Sequence, residues 1–317
     1  MIAMIDLAPS ISRNVSPTLL SNPAKEGGMK RWLVEGSYQL SENSKEIVFS
    51  GVDAEKFAPY LLYDYSRFSF ASHESIVLSF QKSFDKRALA WGLLKRYYSG
   101  FFAAHSLLRS LGHGVLWVDA ADASHLQKTA RIYIRDDFLL PLGAYKFDFK
   151  ANNGYDATLK IEKIGSRGGS HEEFWKYFLK FMIDYSNDLV TRNAPDAGQF
   201  AARMTDLKRI MCARGENSGT WLSFIRNEIN YQQKFGTWFP FSSAKKSRLQ
   251  ESNILKLGNA GSNLLINPQS SPIEAFSSAT CFLALINMDL ANLLKARAGA
   301  GASQFRREWD RLNVALS

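Results

Sequence analysis

A hydrophobic stripe over residues 85–111 constrains the fold more than any other feature of this sequence. Its apolar side chains recur at three- and four-residue intervals, the spacing of one face of an α-helix. The stripe consists of Leu89, Leu93, Tyr97, Phe101, His105 and Leu108, and it is widened by Leu94, Tyr98 and Phe102. So wide a stripe predicts a helix that is embedded among other elements. Gly112 is placed to end it, because glycine readily adopts the left-handed conformation that closes a helix.

Further segments show the same helical spacing. They cover residues 172–190, which are rich in aromatic side chains, residues 200–211 and residues 219–233. The last long helix is delimited at its start, where Ser271 can act as the N-cap, Pro272 takes the first helical position and Glu274 completes a capping box. Gly299 is placed to end this helix.

Two regions are predicted to form short strands, because they are rich in β-branched and aromatic residues. The N-terminal region has candidate strands at 31–34 and 46–49, with a turn at 41–44 between them. The second region has candidate strands at 115–118, 131–134, 145–149 and 158–164. Within it, Asn152-Asn153-Gly154 has the composition of a hairpin turn.

The predicted fold class is therefore mainly α: an antiparallel helical bundle with a small antiparallel β insertion and a mixed N-terminal region. We divide the chain into a mixed region, 1–72, and a helical domain, 73–317, which the β insertion interrupts at about 115–165. Residues 1–28 are expected to form a loose arm.

Composition narrows the classes of function. The formal net charge of +9 favours a polyanionic partner such as RNA. Only two cysteines, Cys212 and Cys281, and five scattered histidines are present, and they lack the spacing of metal ligands. We therefore expect neither a metal nor a cofactor.

The apolar stretch 281–294 contains Asn287, Asp289 and Asn292, which are costly inside a membrane. The N-terminus also lacks a basic segment followed by an apolar core, the pattern of a signal peptide. The sequence thus predicts a cytoplasmic protein with no membrane association.

The best candidate for a functional site lies at 221–240. Trp221, Phe224, Ile225 and Ile229 would form a buried stripe, which groups four polar residues elsewhere on the helix, namely Arg226, Asn227, Asn230 and Tyr231. At 100° per residue, Arg226 and Asn230 lie 40° apart, as do Asn227 and Tyr231. Such a group suits a phosphate, because arginine offers a permanently charged fork of donors. Alternatively, this is a plain helix surface on which Arg226 pairs with Glu228 or Glu216 and Tyr231 packs against the fold.

Two of these segments resemble the HEPN superfamily. Residues 87–112, RALAWGLLKRYYSGFFAAHSLLRSLG, are similar to the tyrosine- and alanine-rich signature helix of that family. Arg226-Asn227 resembles the start of its motif of an arginine, a polar residue and a histidine four to six residues beyond. The resemblance covers about 73–112 and 172–298, without the N-terminal region and the β insertion. The sequence departs from the family at the histidine, where Tyr231, Gln232 and Gln233 stand instead.

The resemblance implies a homodimer of a prokaryotic defence or toxin system that cleaves RNA without a metal, by attack of the 2′-hydroxyl on the phosphorus. Arg226 would stabilise the transition state and Asn227 would orient the phosphate. Tyr231, with a reference pKa near 10, is a poor base but could donate a hydrogen bond or act as an acid. An antitoxin or sensor protein is a further implied partner. The alternatives are a non-catalytic module that binds RNA or a nucleotide, or regulates a partner, and a purely structural interaction protein.

Four residues of the signature helix are secondary candidates for substrate binding. Lys95, Arg96 and Arg109 could form a rim for an RNA backbone, although isolated surface charges are the simpler interpretation. His105 could supply the missing imidazole to Arg226, or it could be a buried core histidine. A metal nuclease motif, Asp196 with Asp206-Leu207-Lys208, matches by its letters only, because its second half falls in a helical pattern.

Overall fold

Nine α-helices and one five-stranded antiparallel sheet make up the part of the chain that the computed structural model describes. That part comprises residue 11 and residues 24–43, 45–80, 89–135, 137–153, 156–165, 170–213, 218–238, 269–298 and 303–316. The helices are α1 (Gly28–Glu35), α2 (Ala54–Phe80), α3 (Leu89–Ser110), α4 (Ala120–Tyr133), α5 (Ser170–Thr191), α6 (Ala197–Met211), α7 (Trp221–Asn230), α8 (Pro272–Arg297) and α9 (Ser303–Leu316). The strands are β1 (Gln39–Asn43), β2 (Glu46–Asp53), β3 (His113–Val118), β4 (Gly143–Asn153) and β5 (Asp156–Lys163).

The predicted embedded helix is confirmed as α3, which packs against α2 and α8. Ser99 donates a hydrogen bond of 2.7 Å to the carbonyl of Ser72, and Ser106 lies opposite Tyr65. The contact of Ser106 is with a residue earlier in α2 than the contact of Ser99, so these two helices are antiparallel. Gly112 ends α3 with a φ of +82°, as its position predicted.

Helix α8 crosses α3 at a point of very close approach. A Cβ atom added to Gly100 would lie 2.9 Å from the Cα atom of Thr280. The predicted capping box of α8 is confirmed, with Ser271 and Glu274 each bonded to the backbone of the other. Gly299, the predicted end, lies outside the described residues.

Helix α8 is also the one described helix that is long and apolar enough to cross a membrane. Of its most apolar 18-residue window, 72% is buried inside the fold, as in a core helix.

The sheet joins the two predicted β regions into one layer. Its strand order is β1-β2-β5-β4-β3, so the N-terminal hairpin pairs with the second β region through β2 and β5. Phe49 lies opposite Leu159 in that pair, and both are fully buried. The ring of Phe57 in α2 stacks on Phe149 at 4.2 Å, which fastens the sheet to the helices.

The strand predicted at 31–34 is wrong, because these residues belong to α1. Met29, Trp32 and Leu33 are buried together, which is the three- and four-residue spacing of a helix face. The predicted turn at 41–44 is displaced as well, since Ser41 to Asn43 extend β1 and Ser44 lies outside the described residues.

The strand predicted at 131–134 is also wrong, because Arg131 to Tyr133 form the last turn of α4. That helix begins with a capping box in which the side chains of Asp119 and Asp122 bond to each other's backbone N–H groups. Capping at Asp119 outweighs the weak strand preference of Ile132 and Ile134.

The division drawn at residue 72 falls inside α2, which runs unbroken from Ala54 to Phe80. Strands from both sides of that division share one sheet. The loose arm predicted at 1–28 lies almost wholly outside the described residues, except that Lys25 donates a backbone hydrogen bond to Pro59 and Gly28 begins α1.

Candidate functional site

Arg226 lies on α7 at the junction with α3. The helix takes this orientation because Trp221, Leu222, Ile225 and Ile229 are almost fully buried on one side of it. Phe224, predicted to belong to this buried stripe, is exposed instead, and Leu222 takes its place. Arg226 is half-buried at the edge of that apolar face. Its guanidinium is therefore held against the fold while part of it stays open to solvent.

Three hydroxyl or amide groups hold the guanidinium in place. One terminal nitrogen of Arg226 donates to the hydroxyl of Tyr98 at 2.7 Å. The other donates to the side-chain oxygen of Asn227 at 2.8 Å and to the hydroxyl of Tyr231 at 3.4 Å. The structure thus brings the three predicted catalytic residues together and adds Tyr98 of the signature helix.

The charge of Arg226 faces aromatic rings instead of a carboxylate. Its central carbon lies 5.9, 5.7 and 5.3 Å from the rings of Tyr97, Tyr98 and Tyr231. Burial opposes the charged form, but the bond to Tyr98 and the electron-rich tyrosines outweigh it and raise the pKa of Arg226. Glu228, a predicted pairing partner, is buried and pairs with Lys234.

Glu216, the other predicted partner, lies outside the described residues. No carboxylate of the described residues forms an ion pair with Arg226.

His171, at the first turn of α5, is a histidine whose pKa the charge of Arg226 affects. Its ring stacks on Phe101 at 4.3 Å, and its Nδ1 lies 2.9 Å from the hydroxyl of Tyr97. Burial, and then the nearby charge of Arg226, lower the pKa of His171. The free protein therefore holds this histidine neutral at pH 7.

The hydroxyl of Tyr97 holds one ring nitrogen of His171. The indole N–H of Trp175 can only donate, and it lies 3.1 Å from the hydroxyl oxygen of Tyr97. Burial raises the pKa of Tyr97, so its hydroxyl keeps its proton, and Ser223 is a further hydrogen-bond partner of that hydroxyl. The ring nitrogen of His171 that does not contact Tyr97 is Nε2.

Sequence reasoning missed His171, because it precedes Arg226 on a different helix and no spacing rule links the two. The available signal was chemical: a histidine at the start of an aromatic-rich helix predicted to pack against the signature helix. His105, the predicted alternative, is buried instead between the rings of Phe174, at 3.8 Å, and Phe68, at 4.6 Å.

Two predicted rim residues, Arg96 and Arg109, are buried and cannot line a surface. Arg96 donates to the carbonyl of Ser79 and covers the ring of Phe80. Arg109 is 2% exposed, donates to the carbonyl of Val115 at 2.7 Å and pairs with Asp64 at 3.5 Å. The prediction was wrong because other elements cover the faces of α3 that carry Arg96 and Arg109, which the charge of these residues had indicated to be exposed.

Lys95 and Asn230 lie nearer to the site. Both are half-buried, Lys95 one helical turn before Tyr98 and Asn230 at the end of α7. Among the described residues, Asn230 makes no side-chain hydrogen bond to Arg226, Asn227 or Tyr231. The polar group predicted at 226–231 is therefore centred on Arg226, Asn227 and Tyr231.

The alternative metal nuclease motif is not assembled as its chemistry requires. Asp206 and Lys208 lie in α6, and Asp206 pairs with Arg209 at 3.2 Å. Within the described residues, no three His, Cys, Asp or Glu side chains are grouped closely enough to hold a metal ion.

Comparison with models of known protein families, with curated proteins and with solved structures found no match for this chain. The resemblance to HEPN proteins is thus carried by the short motifs at 87–112 and at Arg226-Asn227. What the site can do has to be argued from the groups that surround Arg226.

Proposed function

We propose that the protein is a metal-independent endoribonuclease with an HEPN-like bundle and its active site at Arg226. One observation carries the proposal: a guanidinium without a carboxylate partner among the described residues is fixed by Tyr98, and its charge lies close enough to His171 to lower the pKa of that imidazole. The pair combines a permanent charge for a phosphate with a group that can carry a proton near neutral pH.

The chemistry requires only groups of this kind. The 2′-hydroxyl oxygen attacks the adjacent phosphorus and the bond from phosphorus to the 5′-oxygen breaks, which leaves a 2′,3′-cyclic phosphate and a 5′-hydroxyl. Arg226 stabilises the additional negative charge of the phosphorane. Tyr98, Asn227 and Tyr231 keep its fork of donors in one orientation.

His171 takes the role of the histidine that is absent after Arg226. Burial is the main cause of the lowered pKa of His171 and the charge of Arg226 is the second. Binding of the phosphate anion next to Arg226 favours the protonated imidazole, because the anion offsets this second cause. Protonated His171 donates from Nε2 to the leaving 5′-oxygen and recovers a proton from solvent, which receives that of the 2′-hydroxyl. Tyr231 donates a hydrogen bond to the phosphate and is not the base.

The assembly and setting implied by the resemblance belong to the same proposal. Two copies associate with their Arg226 segments facing across a twofold axis. The enzyme acts in the cytoplasm within a prokaryotic defence or toxin system, together with an antitoxin or sensor protein. Light scattering at micromolar concentration tests the dimer, and a strict monomer contradicts it.

The decisive experiment is cleavage of single-stranded RNA by the purified protein in the presence of EDTA. We expect products that end in 2′,3′-cyclic phosphate and no cleavage of the same sequence as DNA, which lacks the attacking hydroxyl. Arg226→Ala and His171→Ala should each abolish cleavage. Arg209→Ala is the matched control, because Arg209 is an exposed arginine on α6. RNA binding without any cleavage would instead establish the non-catalytic module.

A further inference from the structure

A strip of three aromatic side chains leads from Arg226 to an exposed arginine, Arg67. The strip consists of Tyr98, Phe102 and Phe68, and Arg67 lies at its far end. We infer that this strip binds a short single-stranded segment of the RNA substrate, with its bases stacked along the strip and its phosphates at the two cationic ends. The inference rests on the proposed function, since it places this segment next to the phosphate at Arg226.

The strip is continuous from one arginine to the other. The central carbon of Arg226 lies 5.7 Å from the ring of Tyr98, and that ring lies 6.1 Å from Phe102. The rings of Phe102 and Phe68 are 6.3 Å apart with planes only 29° apart, and the guanidinium of Arg67 lies 4.4 Å from Phe68. Each ring remains partly exposed.

Buried side chains support the strip and keep its rings in place. Phe68 stacks on His105 at 4.6 Å, and Phe102 contacts Phe101, whose ring stacks on His171. A platform fixed before binding loses little side-chain entropy when a base stacks on it.

Charge distinguishes an RNA strand from a protein as the occupant. Asp64 pairs both with Arg67, at 3.0 Å, and with the buried Arg109, at 3.5 Å. Two arginines share one carboxylate, so the Arg67 end of the strip keeps a net positive charge. The Arg226 end is positive as well, and an aromatic surface between two cationic ends suits a polyanion with flat bases.

The spacing of the rings favours an extended single strand. Neighbouring rings lie about 6 Å apart, whereas stacked bases in a double helix follow each other at about 3.4 Å. A duplex also hides the faces of its bases, so only unpaired bases reach the rings. Tyr98 and Phe102 each take a base, and the next base stacks on the guanidinium of Arg67, which covers Phe68. The preference for sequence is small because every base has a flat face.

The test is the affinity for an RNA that cannot be cleaved, measured by fluorescence anisotropy with the full chain. The probe is a labelled single strand of about eight nucleotides with 2′-O-methyl groups, and the same strand annealed to its complement is compared with it. Phe102→Leu and Phe68→Leu should each weaken binding of the single strand about tenfold, because they keep apolar volume but remove the flat ring. Phe102→Tyr should restore it.

Phe224→Leu is the matched control, because Phe224 is 40% exposed on α7 and lies outside the strip. It should bind the probe like the wild type. Each variant is first compared with the wild type by thermal unfolding. Phe102→Tyr keeps an aromatic ring, so it shows whether the affinity for RNA depends on the ring.

The outcomes separate this inference from the proposed function. If the wild type cleaves no RNA but the leucine variants bind RNA more weakly, the strip is supported and the nuclease proposal is rejected. Unchanged affinity in both leucine variants overturns the strip, even where cleavage depends on Arg226. The strip is overturned as well by equal affinity for the duplex, or by leucine variants that change the oligomeric state without changing RNA affinity.

Discussion

The hydroxyl of Tyr98 accepts a hydrogen bond of 2.7 Å from Arg226, which lies 128 residues further along the chain. This bond joins the two segments of the sequence that carry the resemblance to HEPN proteins. It fixes one terminal nitrogen of the guanidinium, while Asn227 and Tyr231 contact the other. The arginine is therefore oriented before any ligand binds, which is how a fixed charge contributes most to catalysis.

Replacing Arg226 should separate the effect of its charge from that of its shape. Arg226→Lys keeps a positive charge but loses the planar fork, so we expect cleavage to fall by about 100-fold. Arg226→Ala should abolish cleavage and lower the free energy of unfolding by about 1–3 kcal/mol, because the hydrogen bonds to Tyr98 and Asn227 are lost. Cleavage assays and urea unfolding measure the two effects. Unfolding of both variants would show that Arg226 is a structural residue.

The two tyrosine hydroxyls on Arg226 should differ in importance. Tyr231 is 69% exposed and its contact with Arg226 is long, at 3.4 Å, whereas the bond to Tyr98 is short. Tyr231→Phe should therefore leave the free energy of unfolding within about 0.5 kcal/mol of the wild type. Any fall in its cleavage rate then measures a direct contact with the substrate.

Tyr98→Phe should reduce cleavage about fivefold by releasing the guanidinium, since one oriented hydrogen bond contributes about 1 kcal/mol. A normal rate in both phenylalanine variants would exclude the hydroxyls from the mechanism.

Local periodicity was enough to predict much of the fold. The spacing of Leu93, Tyr97 and Phe101 predicted α3, and the residue types at Ser271 and Glu274 predicted the start of α8, because both depend only on neighbours in sequence. Prediction was wrong where two local signals competed. At 131–134 the β-branched side chains indicated a strand. The signal for a helix there is the capping residue Asp119, which lies at the other end of that helix.

The candidate site was predicted only in part, because its second half depends on tertiary packing. Arg226, Asn227 and Tyr231 are close in sequence and were grouped correctly. His171 reaches Arg226 only because α5 packs beside α3, and the contact from Tyr97 that orients it has no counterpart in spacing. Burial of Arg96 and Arg109 was missed for the same reason, since a single helix shows its own faces but not what covers them.

The pKa of His171 should respond to the charge of Arg226. Burial and Arg226 both lower it, with burial the larger cause, so Arg226→Gln should raise the pKa without restoring the ordinary value near 6.5. Titration of the ring by NMR measures the shift. Arg209→Gln removes a charge on α6 and should leave the value unchanged. An unchanged pKa in Arg226→Gln would show that the two groups do not interact.

Stability should fall in mild acid because His105 is buried. Burial holds the pKa of His105 well below 6.5, so as the pH falls below 6.5 the unfolded chain binds a proton that the folded protein does not. The free energy of unfolding then drops by up to about 1.4 kcal/mol per pH unit for this group. The lowered pKa values of His113 and His171 act in the same direction.

His105→Phe keeps the stacking on Phe174 and removes the titrating ring. Urea unfolding between pH 5 and pH 8 should show a shallower decline for this variant than for the wild type. Identical slopes would mean that His105 is not protonated on unfolding.

The contact between α3 and α8 should not tolerate a methyl group at Gly100. A Cβ atom there would lie 2.9 Å from the Cα atom and 3.1 Å from the carbonyl oxygen of Thr280, and backbone atoms cannot move aside as a flexible side chain can. The two helices must separate, which we expect to lower the free energy of unfolding by about 1–3 kcal/mol despite the better helix propensity of alanine.

Gly198→Ala is the matched control, because no atom lies within 4 Å of the Cβ position in that helix. This variant should gain up to about 1 kcal/mol from helix propensity alone. Thermal unfolding of the two variants should therefore shift the midpoint in opposite directions. A Gly100→Ala midpoint at or above that of the wild type would contradict the close packing of α3 on α8, on which the position of Tyr98 at the site depends.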